Sequence, residues 1–184
     1  LLRKQLKKLM KSSLLALLFI FSLTSCNIES KQVVAPLEDK APTQSSPSKK
    51  FIEIQGLNQD GDSIRFTDIK SKYILVEFWA SWCPPCRQFN PHLVKLYKLY
   101  QPRGLEVLSI SLDHHNEKWK NAINKDGLIW PYHISDLGGW ESKWAVKYGI
   151  ESIPSNFLVD SLGNVIASDM SHEQMVNTLS TLFK

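Results

Sequence analysis

The chain has 184 residues, 43% of them hydrophobic, which allows one domain of ordinary size with a real core and a stretch left over. Its net charge of +4 does not mark a nucleic-acid-binding surface, because the excess sits at the start: Arg3, Lys4, Lys7, Lys8 and Lys11 all precede the first acidic residue, Glu29. With residues 1–25 set aside, 17 basic side chains face 18 acidic ones, a near-neutral chain without a nucleic-acid footprint.

The basic start runs into an apolar stretch, Leu14 to Leu23, too short to span a membrane as a helix and patterned as a secretory signal. It ends in Leu23-Thr24-Ser25-Cys26, which resembles the bacterial lipobox, where small residues precede a cysteine that is lipidated and becomes the first mature residue. The expectation is a lipoprotein signal over 1–25, with Met10 as a candidate translation start, and a lipid on Cys26. The bland alternative is a buried N-terminal helix with a free Cys26, but no polar alternation through Leu14 to Phe21 supplies an amphipathic face. Residues 26–50 carry Pro36, Pro42, Pro47, serines and lysines without a period of 2 or 3.6, and read as a disordered tether. Such a tether has an r.m.s. span of roughly 25–30 Å.

From residue 51 the pattern is that of a folded domain, 51–184. Phe51 to Ile54 and Ser63 to Phe66 alternate as strands around the turn residues Asn58 to Asp62, predicting an edge hairpin. Tyr73 to Trp79 is a nearly unbroken apolar strand, expected to be covered on both faces. A helical period follows from Arg87 to Tyr100, with Pro91 expected to bend it. Then come a strand from Leu105 to Leu112, a helix from Asn116 to Lys125, a short extended piece from Trp130 to Ile134 and a helix from Glu141 to Tyr148. An antiparallel pair is expected at 156–160 and 164–168, and Ser171 with Gln174 has the form of a capping box opening a last helix to Phe183. Strands alternating with helices and closing in a hairpin and a helix make an α/β layer architecture.

Between the apolar strand and the long helix stands Trp82-Cys83-Pro84-Pro85-Cys86. Two thiols two residues apart at a helix start can be closed into a disulfide and reopened by exchange. The helix N-terminus favours a thiolate, so Cys83, at the helix mouth, is the expected nucleophile and Cys86, one turn in, the resolving thiol. Zinc would need a second pair of ligands at suitable spacing, and haem attachment would need His where Arg87 stands. A purely structural bridge over so short a loop removes little chain entropy. No metal or other cofactor is expected beyond this redox-active disulfide. The adjacent His114 and His115 lack cysteine or acid at ligand spacing and read as solvent-facing, and His92 has no evident catalytic partner. With Cys26 lipidated, the remaining cysteines form an even pair in an oxidising compartment, where keeping them reduced needs an electron source.

The stretch Phe78 to Arg87, Ser109-Ile110-Ser111-Leu112-Asp113, the tryptophan-bearing segment from Trp119 to Trp144, and Tyr148-Gly149-Ile150 through Ile153-Pro154 together resemble the TlpA/ResA-like thiol–disulfide oxidoreductases. The resemblance covers residues 51–184 and implies a thioredoxin-like fold, a central mixed sheet flanked by helices with an N-terminal hairpin and a helical insert. It implies that Pro154 is the cis proline beside the dithiol and that Ile153 offers its backbone to an extended substrate. It also implies that Trp82 shields the dithiol and, with Pro84 and Pro85, meets substrate. Glu77, six residues before Cys83, falls where thioredoxins carry a buried acid that relays the resolving cysteine's proton. On a doubly covered strand its pKa should rise. One departure stands out: Asp169-Met170-Ser171 replaces the glycine expected before the last helix.

These readings converge on an enzyme of the bacterial cell envelope that reduces protein disulfides. It is expected to face the extracytoplasmic space, with disulfide-bonded envelope proteins as substrates and a membrane thiol–disulfide protein as electron donor. The rivals are a thiol peroxidase of the peroxiredoxin type, whose cysteine follows a Thr-containing loop where this chain has Trp82, and a non-enzymatic binding lipoprotein. A direct hint favours reduction: Pro84 and Pro85 have no N–H to donate, so the Cys83 thiolate should be only modestly stabilised.

Overall fold

The computed structural model describes residues 50–184; the expected signal segment, Cys26 and the tether up to residue 49 lie outside the described residues. Seven strands form one sheet: β1 (Gln55–Leu57), β2 (Ser63–Arg65), β3 (Tyr73–Trp79), β4 (Leu105–Ser111), β5 (Tyr132–Ser135), β6 (Ser155–Asp160) and β7 (Val165–Ser168). Among the described residues four α-helices flank it: α1 (Pro84–Tyr100), α2 (Asn116–Asp126), α3 (Lys143–Tyr148) and α4 (His172–Leu182). The strand order is β2-β1-β5-β4-β3-β6-β7.

β3 lies inside this order, parallel to β4 from Tyr73↔Leu105 to Trp79↔Ser111 and antiparallel to β6. Every residue from Ile74 to Trp79 is buried, as a strand covered on both faces requires. The connections β3–α1–β4 and β4–α2–β5 step the same way across the sheet. Right-handed crossovers therefore put α1 and α2 on one face. The Arg87–Asp126 ion pair joins those two helices, and His172 at the start of α4 meets Phe89 and His92 of α1 on the same face. The opposite face is covered by α3: Tyr148 stacks on Phe51 with centroids 4.2 Å apart and lies 6.4 Å from Phe78, while Trp144 Nε1 donates to the Gln55 carbonyl at 3.1 Å. Neighbouring residues of a strand point to opposite faces, so Phe78 faces α3 and Glu77 faces α1.

The hairpin sits at the sheet edge, but later than the alternation predicts. Phe51–Glu53 is a 3-10 turn, and β1 begins at Gln55. Phe51 and Ile54, three apart, are both buried and Phe51 packs on Tyr148, so one tight turn sinks both where a strand would send them to opposite faces. Phe66 likewise opens a 3-10 turn and donates its N–H to Ile54 at 2.8 Å. Elsewhere the predicted strands and helices occur, with ends shifted by one to three residues. α1 continues through Pro91, the lost backbone hydrogen bond being outweighed by a buried face running from Cys86 through Leu93 to Tyr100. Ser171 and Gln174 exchange both capping-box bonds at the start of α4.

Candidate active site

The dithiol is where β3 hands the chain to α1. Cys83 is the N-cap of α1, its N–H donating to the Ala80 carbonyl at 3.1 Å, with Pro84 and Pro85 in the first helical turn. Cys83 and Cys86 form a disulfide with S–S 2.03 Å. Prolines suit that turn because its N–H groups have no helical partner. The consequence for the sulfur is chemical: the Cys86 N–H, 3.2 Å away, donates to Cys83 Sγ, and the two residues between them have no N–H to offer. Cys83 is 3% exposed and Cys86 0%, so a partner sulfur reaches Cys83 first. Across from it, the Ile153 carbonyl lies 3.7 Å from Cys83 Sγ, and the Ile153–Pro154 peptide is cis. In the reduced protein the Cys83 thiol can donate to that carbonyl.

The loop before the cysteines is held from below. Asp113, 1% exposed, accepts from the Ser81 N–H at 2.9 Å, the Ser81 hydroxyl at 2.5 Å and the Ser111 hydroxyl at 2.8 Å. Arg87 is clamped by Asp126, with Nη2 donating at 2.6 Å to one carboxylate oxygen and Nε to the other, and its Nη1 donates to the Ser81 carbonyl at 3.0 Å. Burial pushes the Asp126 carboxyl up, but hydrogen bonds from Arg87 and Asn90 outweigh it and hold the group below the usual aspartate value. Together these bonds pin both sides of the Ser81-Trp82 turn.

Glu77 is buried on β3 at 1% exposure. Its β4 register partner Ser109 donates to Oε2 at 3.2 Å, and Ser109 in turn accepts from Trp130 Nε1 at 2.9 Å. Because the indole can only donate, the Ser109 proton points at Glu77. Trp130 packs edge-on against Tyr97 of α1 with centroids 5.6 Å apart, which sets the chain under the helix that carries Cys86. Oε1 of Glu77 has no hydrogen-bond partner among the described residues. Burial drives the pKa up from an ordinary 4.5 to about 7, the Ser109 bond pulling it partly back. A carboxyl group in that state can take or give a proton near neutrality.

Trp82 is 46% exposed, fixed by its Nε1 donating to the Leu112 carbonyl at 3.1 Å, and its ring meets Trp140 at 6.1 Å. Trp140, 44% exposed, was not singled out by sequence as a candidate site residue. It rides a loop organised by Asp136, which accepts from the Gly138 N–H, the Ser142 hydroxyl and the Lys143 N–H. Gly139 of that loop has φ +57 and lies against the His114 ring, where a Cβ would stand 2.2 Å from two ring atoms. His114 and His115 are exposed, and no group of three or more potential metal ligands occurs among the described residues. A cleft of about 320 Å³ borders Pro154, Phe89 and Asp169. Asp169 takes φ +48 where glycine was expected and accepts the Ser155 hydroxyl bond at 2.8 Å. Ser109, Trp130 and Asp113 had no assigned role from sequence. Besides the family-like run Ser109 to Asp113, a local signal for Ser109 is its pairing with Ser111, two apart in a largely apolar strand and therefore on one buried face.

The chain is similar to known proteins. The AhpC/TSA family profile matches residues 39–168. The thiol-disulfide oxidoreductase ResA of Bacillus thuringiensis (strain Al Hakam) is 32% identical over 126 residues, covering 67% of this chain and 70% of that protein; ResA of Geobacillus thermodenitrificans is 28% identical over 126 residues, 67% of this chain and 70% of its own. Among solved structures, a thiol-disulfide oxidoreductase from Bacteroides fragilis superposes with a TM-score of 0.68 at 33% identity, covering 73% of this chain and 99% of that one. The thioredoxin domain of a Bacteroides vulgatus thiol-disulfide oxidoreductase gives 0.64 at 29% identity, over 76% and 100%. With its thioredoxin-like sheet and its Cys83–Cys86 pair, the chain belongs to the AhpC/TSA family and, within it, with the ResA thiol-disulfide oxidoreductases.

Proposed function

We propose that this oxidoreductase reduces protein disulfides outside the cytoplasm, tethered to a membrane by lipid on Cys26. The observation that carries the chemical part is the asymmetry of the pair: Cys83 is the reachable sulfur at the helix mouth, facing the Ile153 carbonyl, and Cys86 is wholly enclosed. In the reduced protein the Cys83 thiolate attacks one sulfur of a substrate disulfide. The substrate's other sulfur leaves as a thiolate and takes up a proton, and a mixed disulfide remains on Cys83. Cys86 then passes its proton to Glu77, and the new thiolate attacks Cys83 Sγ. The substrate leaves with both sulfurs reduced, and the enzyme keeps the Cys83–Cys86 disulfide; two electrons have moved. A membrane thiol–disulfide donor restores the dithiol. An extended substrate runs over Trp82, Pro84, Pro85 and Ile153-Pro154, and no cofactor other than the disulfide takes part. The anchor is supported by the basic, apolar and lipobox-like order that ends at Cys26, and among the described residues no helix is long and apolar enough to cross a membrane.

The test is trapping. A Cys86→Ser protein offered a disulfide-bonded protein should accumulate a mixed disulfide on Cys83, and Cys83→Ser should accumulate none. An adduct on Cys86 in the Cys83→Ser protein would reverse the assignment. For the anchor, incorporation of labelled palmitate should vanish in Cys26→Ser; labelling that persists would place the lipid elsewhere or dismiss it.

A further inference from the structure

Beside Trp82 opens a second cleft, about 350 Å³, walled on one side by Trp82 and Arg87 and on the other by Lys118, Asn121 and Lys125 of α2. Positions 118, 121 and 125 are three and four apart and so share one helix face. The charges on this face differ from the rest of the helix. Lys120, elsewhere on α2, is paired with Asp60 at 2.8 Å, whereas Lys118 and Lys125 form no ion pair among the described residues. Arg87 is matched by Asp126, and Asp113 is engaged by Ser81 and Ser111. Two unmatched lysines remain, the more distant pull of Asp126 on Lys125 aside, and no acidic side chain lines the cleft. This is a local feature, since residues 51–184 carry 13 basic and 15 acidic side chains and are slightly acidic as a whole. Trp82 belongs both to the cleft wall and to the dithiol turn, so whatever enters the cleft stands beside the turn that carries the attacking Cys83.

We propose that this cleft receives acidic residues flanking the cysteine of a disulfide-bonded protein substrate, which makes Lys118 and Lys125 specificity determinants for the reaction. The inference rests on the reading that Cys83 attacks protein disulfides. The half-exposed Trp82 ring offers a flat apolar wall to the substrate backbone, and the lysines, lining the same cleft as Trp82, put positive charge beside the turn that carries Cys83. An exposed charge pair changes an equilibrium by up to about fivefold, so two acting together select acidic over basic flanks by about tenfold.

The probes are three synthetic peptide disulfides that differ only in whether the cysteine is flanked by aspartates, serines or lysines. The reduced full chain is mixed with each at low salt, and the appearance of the Cys83–Cys86 disulfide is followed by alkylation and mass. The aspartate peptide should be reduced about tenfold faster than the lysine peptide, with serine between them, and the ratio should collapse in 0.5 M salt as roughly a 4 Å Debye length cuts off the attraction. A Lys118→Glu/Lys125→Glu protein should reverse the order, and Lys118→Gln/Lys125→Gln should flatten it. Equal rates for all three peptides, or an acidic preference surviving in both double variants, overturns the inference and leaves the oxidoreductase reading intact. Failure to reduce any of the three overturns both. Equal peptide rates together with lysine-dependent binding to phosphatidylglycerol vesicles would assign the cleft to the membrane surface instead.

Discussion

Replacing Glu77 by glutamine should stabilise the protein at alkaline pH and not at acid pH. Folding raises the Glu77 pKa from 4.5 to about 7. Between those values the folded chain holds a proton that the unfolded chain has released. The group's contribution is therefore fully favourable below pH 4.5 and is lost as pH rises toward 7. At about 1.36 kcal/mol per unit, the ionised carboxylate costs about 3 kcal/mol at pH 8. Glutamine removes that cost and keeps an oxygen for the Ser109 hydroxyl, but it puts an amide N–H₂ where Oε1 has no partner, a penalty of about 1 kcal/mol. Glu77→Gln should thus gain about 2 kcal/mol at pH 8 and lose about 1 kcal/mol at pH 4. Urea unfolding of the oxidised proteins, followed by tryptophan fluorescence at both pH values, measures the difference. His133, whose pKa burial drives down to about 4, has the opposite slope, its stability present above 6.5 and lost as pH falls. Being common to both proteins, it cancels in the comparison. An equal effect at pH 4 and pH 8 would refute the buried, neutral-poised Glu77 on which the proton transfer rests. The same variant should resolve a mixed disulfide about a hundredfold more slowly near neutral pH, the usual scale of losing a general base.

Ser109→Ala should leave the buried Trp130 Nε1–H without its acceptor, costing about 1–3 kcal/mol in urea unfolding. It should also raise the Glu77 pKa further, moving the pH profile of mixed-disulfide resolution upward; Ser109→Thr, which keeps a hydroxyl, should restore the profile, and a profile unmoved by alanine would remove Ser109 from the relay. Asp113→Asn loses an acceptor that holds the Ser81 N–H and hydroxyl. It should cost about 2 kcal/mol and speed alkylation of reduced Cys83; unchanged stability and alkylation would show the turn to be held by Arg87 alone. The reduced protein should consume hydrogen peroxide no faster than a free thiol, because the Arg87 guanidinium is committed to Asp126 and the Ser81 carbonyl. Rapid consumption would restore the peroxidase reading that the AhpC/TSA match also admits.

What could be read from the chain follows from which forces are local. Tyr73–Trp79 announced a buried strand because six of its residues have no solvent face to satisfy, and the Ser171–Gln174 cap closes on neighbours three apart. Phe51 and Ile54 misled because alternation over four residues cannot tell a strand from a turn that buries two residues against distant Tyr148. The structure has Cys83 and Cys86 in a disulfide, Glu77 buried and the Ile153–Pro154 bond cis, features that the family resemblance implies and local periodicity does not. The side chains that orient them were hidden for a physical reason. Ser109 meets Trp130 21 residues away and Glu77 32 residues away, contacts made by strand register and not by any local signal. Arg87 and Asp126 are 39 residues apart and meet because two crossovers share a hand. Trp140 reaches Trp82 through a loop folded around Asp136, which sequence periodicity does not describe.

The central claim, that Cys83–Cys86 works as a reductant, is tested most directly by its equilibrium potential. The full chain is equilibrated in graded mixtures of reduced and oxidised dithiothreitol or glutathione, and the pair is scored by mass shift after alkylation. With two prolines following Cys83 and the Cys86 N–H donating to its sulfur, the thiolate is weakly stabilised and the potential should fall near thioredoxin's, about −270 mV. A value near −120 mV would mean a strongly stabilised thiolate and an enzyme that inserts disulfides, contradicting the account.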